Sequence, residues 1–203
     1  MKIQQLNSNI KTSFSQATPE EKELKNIVDF FKSNYSLIEI IKFLNQNKSL
    51  KNLSPTTYSM GDNLLFIGQS NLFEKPTEVF KKLKKLKITS APEHVASAKS
   101  AGGQYALLIL KVPSLKEGNA EFSKNKDAVS FENRAKFVQD LIKLEKETSL
   151  YNPQILENPS SLFISKKSEL FVQDWNDLRT FNSPSEKSSW FNQLRKKLNL
   201  NTH

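Results

Sequence analysis

Carboxylates and lysines are the groups through which this chain can act. It has no Cys, which excludes disulfides, thiolate metal sites and cysteine nucleophiles. Its only histidines are His94 and His203, so a two-histidine metal site or a histidine relay would have to recruit the last residue. Asp174 follows the apolar run Leu170-Phe171-Val172. A carboxylate at the mouth of a hydrophobic strand suits a metal ion, because the strand fixes the backbone while the tip stays wet. The densest cationic run holds Lys81, Lys82, Lys84 and Lys85. Such a run is most simply a solvated helix face; as a functional surface it suits an acidic protein partner, nucleic acid or anionic lipid. Nucleic acid is not favoured, because these lysines lack interleaved aromatics or arginines to stack on bases or read their edges.

These groups need elements to hold them. Leu162-Phe163-Ile164 and Leu170-Phe171-Val172 flank the polar turn Ser165-Lys166-Lys167-Ser168, which predicts a β-hairpin running directly into Asp174-Trp175-Asn176-Asp177. The lysine run belongs to a helix over Lys75–Lys87, with Val79, Phe80, Leu83 and Leu86 as its apolar stripe. Upstream, Thr18-Pro19-Glu20-Glu21 is a helix start, with Thr as N-cap, Pro at N1 and acids in the first turn. Leu24, Ile27, Val28 and Phe31 continue it on one face. A second helix after Asn34 carries Leu37, Ile40, Ile41 and Leu44, and the two are expected to pair as a hairpin. Residues 45 to 61 read as polar and turn-like, broken by Ser54-Pro55-Thr56, before the short strand Leu64-Leu65-Phe66-Ile67. A long helix is expected from Ser130 to Glu147, buried through Phe131, Ala135, Val138, Leu141 and Ile142, and a last helix lies around Trp190, Phe191, Leu194 and Leu198. Residues 114 to 130 read as an exposed polar connection.

In that order the pieces resemble a protein kinase. A helix, Pro92-Glu93, Gly102-Gly103, the buried strand Tyr105 to Lys111 and Val112-Pro113 are similar to the helix, strands and hinge of a kinase small lobe. The segment from Pro159 to Asp177 resembles the catalytic loop, the following hairpin and the Asp-Phe-Gly-type metal site. By that resemblance Asp174 is the metal-binding Asp, and Glu78 is the helix acid that would pair with a strand lysine and so help hold the nucleotide. The same alignment puts Leu156 where the catalytic base should be and Ser161 where the second metal-binding Asn should be. Glu157 is then the substitute base and Asp177 a second metal carboxylate. Residues 45 to 67 contain one Gly and no Lys on the strand, so the parts that grip a nucleotide are missing.

The implied fold is α+β, a small protein-kinase-like two-lobe fold with an N-terminal helical extension and a truncated C-lobe. Its expected divisions are a disordered polar leader over 1–18, a helical hairpin over 19–47, an N-lobe-like sheet plus helix over 48–113, and a reduced C-lobe over 114–203. Residues 1–18 carry ten Ser, Thr, Asn or Gln and two charges, too little apolar surface to fold alone. They resemble the uncleaved leader of bacterial type III effectors, and the short C-lobe resembles the minimal kinase-like effectors of the same systems.

The resemblance implies a pseudokinase-like effector that binds an acidic surface on a host or partner protein, with no cofactor. The alternatives are an atypical kinase using ATP and Mg²⁺ through Asp174, and a basic module for nucleic acid or anionic lipid. No stretch approaches the ~20 apolar residues of a membrane span, and no apolar signal core is present at the N-terminus. The expectation is a soluble protein of the bacterial cytoplasm delivered into a host cytosol, and the net charge of +9 favours anionic partners.

Overall fold

The computed structural model describes residues 17–115, 120–172, 174–175 and 177–200, so residues 1–16 of the polar leader lie outside the described residues. Helix α1, Pro19–Ser33, starts where the sequence places it. The Thr18 hydroxyl accepts from the Glu21 N–H at 3.2 Å while the Thr18 N–H donates to the Glu21 carboxylate at 2.7 Å, a reciprocal cap satisfying two otherwise orphaned donors. Helix α2, Leu37–Gln46, starts at a Ser36 cap. The two helices meet through Phe30 and Phe43, whose rings stack with centroids 3.8 Å apart.

Residues 45 to 61, expected as turns, instead hold two strands, β1 (Lys51–Ser54) and β2 (Thr57–Met60). Each strand is four residues long, too short for its alternation to show in the sequence: only Tyr58 and Met60 turn inward. Strand β3, Asn63–Gln69, leads into helix α3, Ser70–Lys85. The helix therefore begins five residues before Lys75 and contains Pro76, which reads as a helix start because proline is favoured at the first helical position. Strands β4 (Glu93–Lys99) and β5 (Tyr105–Lys111) follow, joined through Gly103, whose φ of +70° suits a residue without Cβ. The five strands form one antiparallel sheet in the order β1-β2-β3-β5-β4.

The sheet is covered on both faces. On the outer face, Leu65, Ile67, Leu107 and Ile109 pack against Leu24, Ile27, Phe31, Ile40 and Leu44 of the N-terminal helices. On the inner face, Leu108 and Leu110 join Phe80 and Leu83 of α3 in a second core that continues into the C-terminal half. Coverage on both faces explains the near-continuous apolar run of β5.

Helix α4, Phe131–Thr148, is capped by the Ser130 hydroxyl. Its buried face is Phe137, Val138, Leu141 and Leu144. Phe131 and Ile142, expected inside, are 52% and 37% exposed. Phe131 lies two turns before Val138, on the first turn of the helix, and Ile142 sits on the flank of the stripe. Strand β6 (Leu150–Tyr151), the short helix α5 (Gln154–Glu157) and the hairpin β7 (Leu162–Ile164) with β8 (Leu170–Val172) come next. Strand β9 (Arg179–Thr180) returns to pair with β6, and helix α6, Pro184–Lys197, follows.

The connection after β5 is not simply exposed. Leu115 and Glu121 make antiparallel bridges to Ser165 and Phe163, and Phe122 and Val129 are buried. From α4, the Asp140 carboxylate accepts from the Thr89 N–H at 3.0 Å, and the Lys143 ammonium donates to the Leu86 carbonyl at 2.6 Å, closing the end of α3. A five-stranded sheet with one helix between its third and fourth strands, a single connection, and a hairpin-bearing C-terminal half make this a small α+β fold.

Candidate functional site

The β7-β8 hairpin forms as the sequence predicts, with Leu162 opposite Val172 and Ile164 opposite Leu170. Its exit is held from two sides. Trp175 is buried and its indole N–H donates to the Val172 carbonyl at 2.8 Å. Asn152, also buried, donates its amide to the Asp174 carbonyl at 2.8 Å and accepts the Gln154 N–H at 3.1 Å. One side chain thus ties the loop before α5 to the segment that carries Asp174. Asp174 itself is exposed.

Asp177 and Glu157 are brought together, and the residue between them is Arg179. Its Nε and Nη2 donate to the two Asp177 oxygens at 3.0 and 2.6 Å, and Nη1 lies 3.5 Å from a Glu157 oxygen. Gln154 spans the same pair, 3.4 Å from Glu157 and 3.3 Å from Asp177. The guanidinium hydrogen bonds hold the Asp177 carboxyl below its usual range, and the same bonds push the Arg179 guanidinium up. The pairing of β9 with β6 sets Arg179 opposite Tyr151, close to the start of α5.

The other residues of the expected site are distributed elsewhere. Leu156, at the base position, is half-buried and packs on the inner core. Ser161 is buried, and its hydroxyl has no partner among the described residues. Glu78 pairs with Lys81 at 3.0 Å on an exposed face of α3, where its side chain is 75% exposed, and not with a lysine of the sheet. Of the lysine run, Lys84 pairs with Glu93 at 3.0 Å and donates to the His94 carbonyl at 2.8 Å. Lys82 and Lys85 are exposed and have no ion pair among the described residues.

Asp177 and Glu157 offer no ready place for Mg²⁺. Both oxygens of Asp177 and one of Glu157 face a guanidinium, and a cation there would have to displace Arg179. Strand β3 has no lysine, the β1-β2 turn is Pro55-Thr56 without glycine, and among the described residues no three His, Asp or Glu converge. Arg179, Asn152 and Gln154 were not singled out from sequence. Asp177 and Arg179, two apart in an extended segment, were the available signal for the first. Asn152-Pro153 reads as an ordinary turn.

No protein-family model matches the chain, and no curated protein matches it. Among solved structures the chain is similar to the PK-1 kinase of Cydia pomonella granulovirus, at 16% identity and a TM-score of 0.45, over 73% of this chain and 59% of that one. It is also similar to vaccinia related kinase 3, at 15% identity and a TM-score of 0.36, over 69% of this chain and 50% of that one. The chain thus spans a little over half the length of the first and half of the second.

Proposed function

We propose that this chain is a pseudokinase-type binding protein that keeps a kinase-like frame, transfers no phosphate, and recognises an acidic surface on a partner protein. The observation that carries this reading is the closure of Arg179 on Asp177 and Glu157. Phosphoryl transfer works by positioning and by neutralising phosphate charge through metal ions and a lysine. Here Asp177 and Glu157, two of the three carboxylates assigned to metal and base, already face the chain's own arginine. What supports the binding half is the α3 face, where Lys82 and Lys85 stand exposed on a chain of net charge +9.

The test is thermal. A ligand that binds only the folded state raises its melting midpoint. Excess ATP with Mg²⁺ is expected to leave the midpoint of the wild-type chain where it leaves that of Asp174→Ala. A rise in the wild type that Asp174→Ala loses, or transfer of labelled phosphate to a protein acceptor, overturns the reading in favour of an atypical kinase.

The same proposal makes residues 1–18 an uncleaved delivery leader of a bacterial effector whose partner is a host protein. Its support is the polar composition of that segment. Fusion of residues 1–18 to a reporter, scored for transport through a type III apparatus, decides it: a retained reporter removes the delivery part and leaves the binding part standing.

A further inference from the structure

A recess of about 690 Å³ opens where the last turn of α3, the start of β4, the inter-lobe connection and the β7-β8 turn meet. Neither Asp174, Asp177 nor Glu157 lines it. Its apolar lining is Ile88, Ala91, Pro92, Val112 and Pro113, and five lysines surround that lining: Lys84, Lys87, Lys111, Lys166 and Lys167. We propose that this recess binds an extended acidic peptide of a partner protein, with carboxylates on the lysines and apolar side chains on the floor between them. The proposal rests on the binding reading above only in taking recognition as the chain's work, and it adds to the exposed α3 face a recess beside the end of that helix.

Charge bookkeeping favours the assignment. Three carboxylates share the lining, and each is already engaged. Asp62 accepts from the Ser114 hydroxyl at 2.8 Å, Glu93 pairs with Lys84 at 3.0 Å, and Glu169 pairs with Lys136, outside the recess, at 2.9 Å. Lys87, Lys111 and Lys167 are exposed and have no ion pair among the described residues. Like charges held around one recess repel one another, so an anionic ligand relieves that repulsion.

The lining also chooses among anions. A bidentate grip on phosphate favours arginine forks, and this lining has no arginine. A peptide spaces its acids and can place apolar or basic residues opposite Pro92 and Glu93. The chain's own ends do not match: residues 1–16 carry two lysines and no acid, and residues 201–203 carry none. A second copy, itself at +9, meets the recess with like charge.

The experiment measures fluorescence anisotropy of a short fluorescein-labelled peptide, Glu alternating with Leu and one Pro to keep it extended, against the full chain. Charge reversal at Lys111→Glu and Lys167→Glu together is expected to weaken binding about tenfold or more, while Lys32→Glu with Lys42→Glu on α1 and α2, outside the recess, changes it by less than about twofold. Both positions are exposed, so melting midpoints of the variants are expected to match the wild type. Absence of peptide binding to the wild type overturns the proposal. Equal weakening by both double variants overturns it in favour of a diffuse basic surface. Tighter binding of inositol hexakisphosphate than of the peptide, lost in the Lys111/Lys167 double variant, overturns it in favour of a phosphate ligand. Phosphate transfer from ATP would overturn the pseudokinase reading and leave this measurement unaffected.

Discussion

Arg179 grips Asp177 through two parallel hydrogen bonds of 3.0 and 2.6 Å across a single intervening residue. The pair is exposed, so its worth lies in geometry more than in stability. It holds Asp177 in one orientation and gathers Glu157 and Gln154 around the same guanidinium.

The first prediction concerns how this pair titrates. An unfolded Asp titrates near ~3.9, and the folded Asp177 lies lower because the guanidinium bonds favour its charged form. The stabilisation is therefore complete above the unfolded value and fades as pH falls through the folded one. Carboxyl-carbon NMR is expected to show Asp177 returning toward the ordinary range in Arg179→Ala. The difference in urea midpoint between wild type and Asp177→Asn is expected to close in the same acid window. A wild-type Asp177 that titrates at or above the ordinary range would refute the pairing.

Asn152 gives a stability prediction. Its amide and its oxygen each serve a main-chain group, at Asp174 and Gln154, in a site with no exposed surface. Asn152→Ala is expected to cost about 1–3 kcal/mol, since two part-buried hydrogen bonds to the main chain are lost together. Urea unfolding followed by far-UV circular dichroism reads this. A loss no larger than that of an exposed polar substitution would show that the two segments are held by other contacts.

Phe31 tests the cover on the outer sheet face. It is 1% exposed and packs with Leu65, Ile109 and their neighbours. Phe31→Ala is expected to destabilise the fold by about 3–5 kcal/mol. The same variant is expected to bind a hydrophobic dye before global unfolding, because the helices lift from a sheet face that is otherwise apolar. A simple two-state loss without dye binding would mean that the helices and the sheet unfold as one unit.

Trp175 occupies the position next to the expected metal Asp. Trp175→Phe keeps most of the buried volume but leaves the Val172 carbonyl without its 2.8 Å donor, at a cost of about 1–3 kcal/mol. Trp175→Ala also opens a cavity in the inner core and is expected to cost about 3–5 kcal/mol. Equal destabilisation by the two variants would assign the whole effect to the hydrogen bond.

Much of the frame was legible from local pattern. Thr18-Pro19-Glu20-Glu21 announced α1 because a cap is a contiguous chemical unit, and Leu162 to Val172 announced the hairpin because two β-prone runs flanked a polar turn. The start of α3 was not legible, because Pro76 mimics a helix start while the first turn of the helix lies ahead of it. The strands at 51–54 and 57–60 were missed because four residues give too little alternation to show, and their partner β3 supplies the pairing.

Residue types and their order determined that this protein has no thiols, two histidines, no lysine in Leu64-Leu65-Phe66-Ile67 and one glycine between residues 45 and 67, with an excess of ammonium groups. Those are properties of composition and need no fold to be true. The tertiary structure alone decided which charges meet. It brought Arg179 to Glu157 and drew Lys87, Lys111 and Lys167 from three separate segments around one recess. Electrostatic interaction depends on distance through space, and distances between residues tens of positions apart are set by how the sheet, the helices and the hairpin pack.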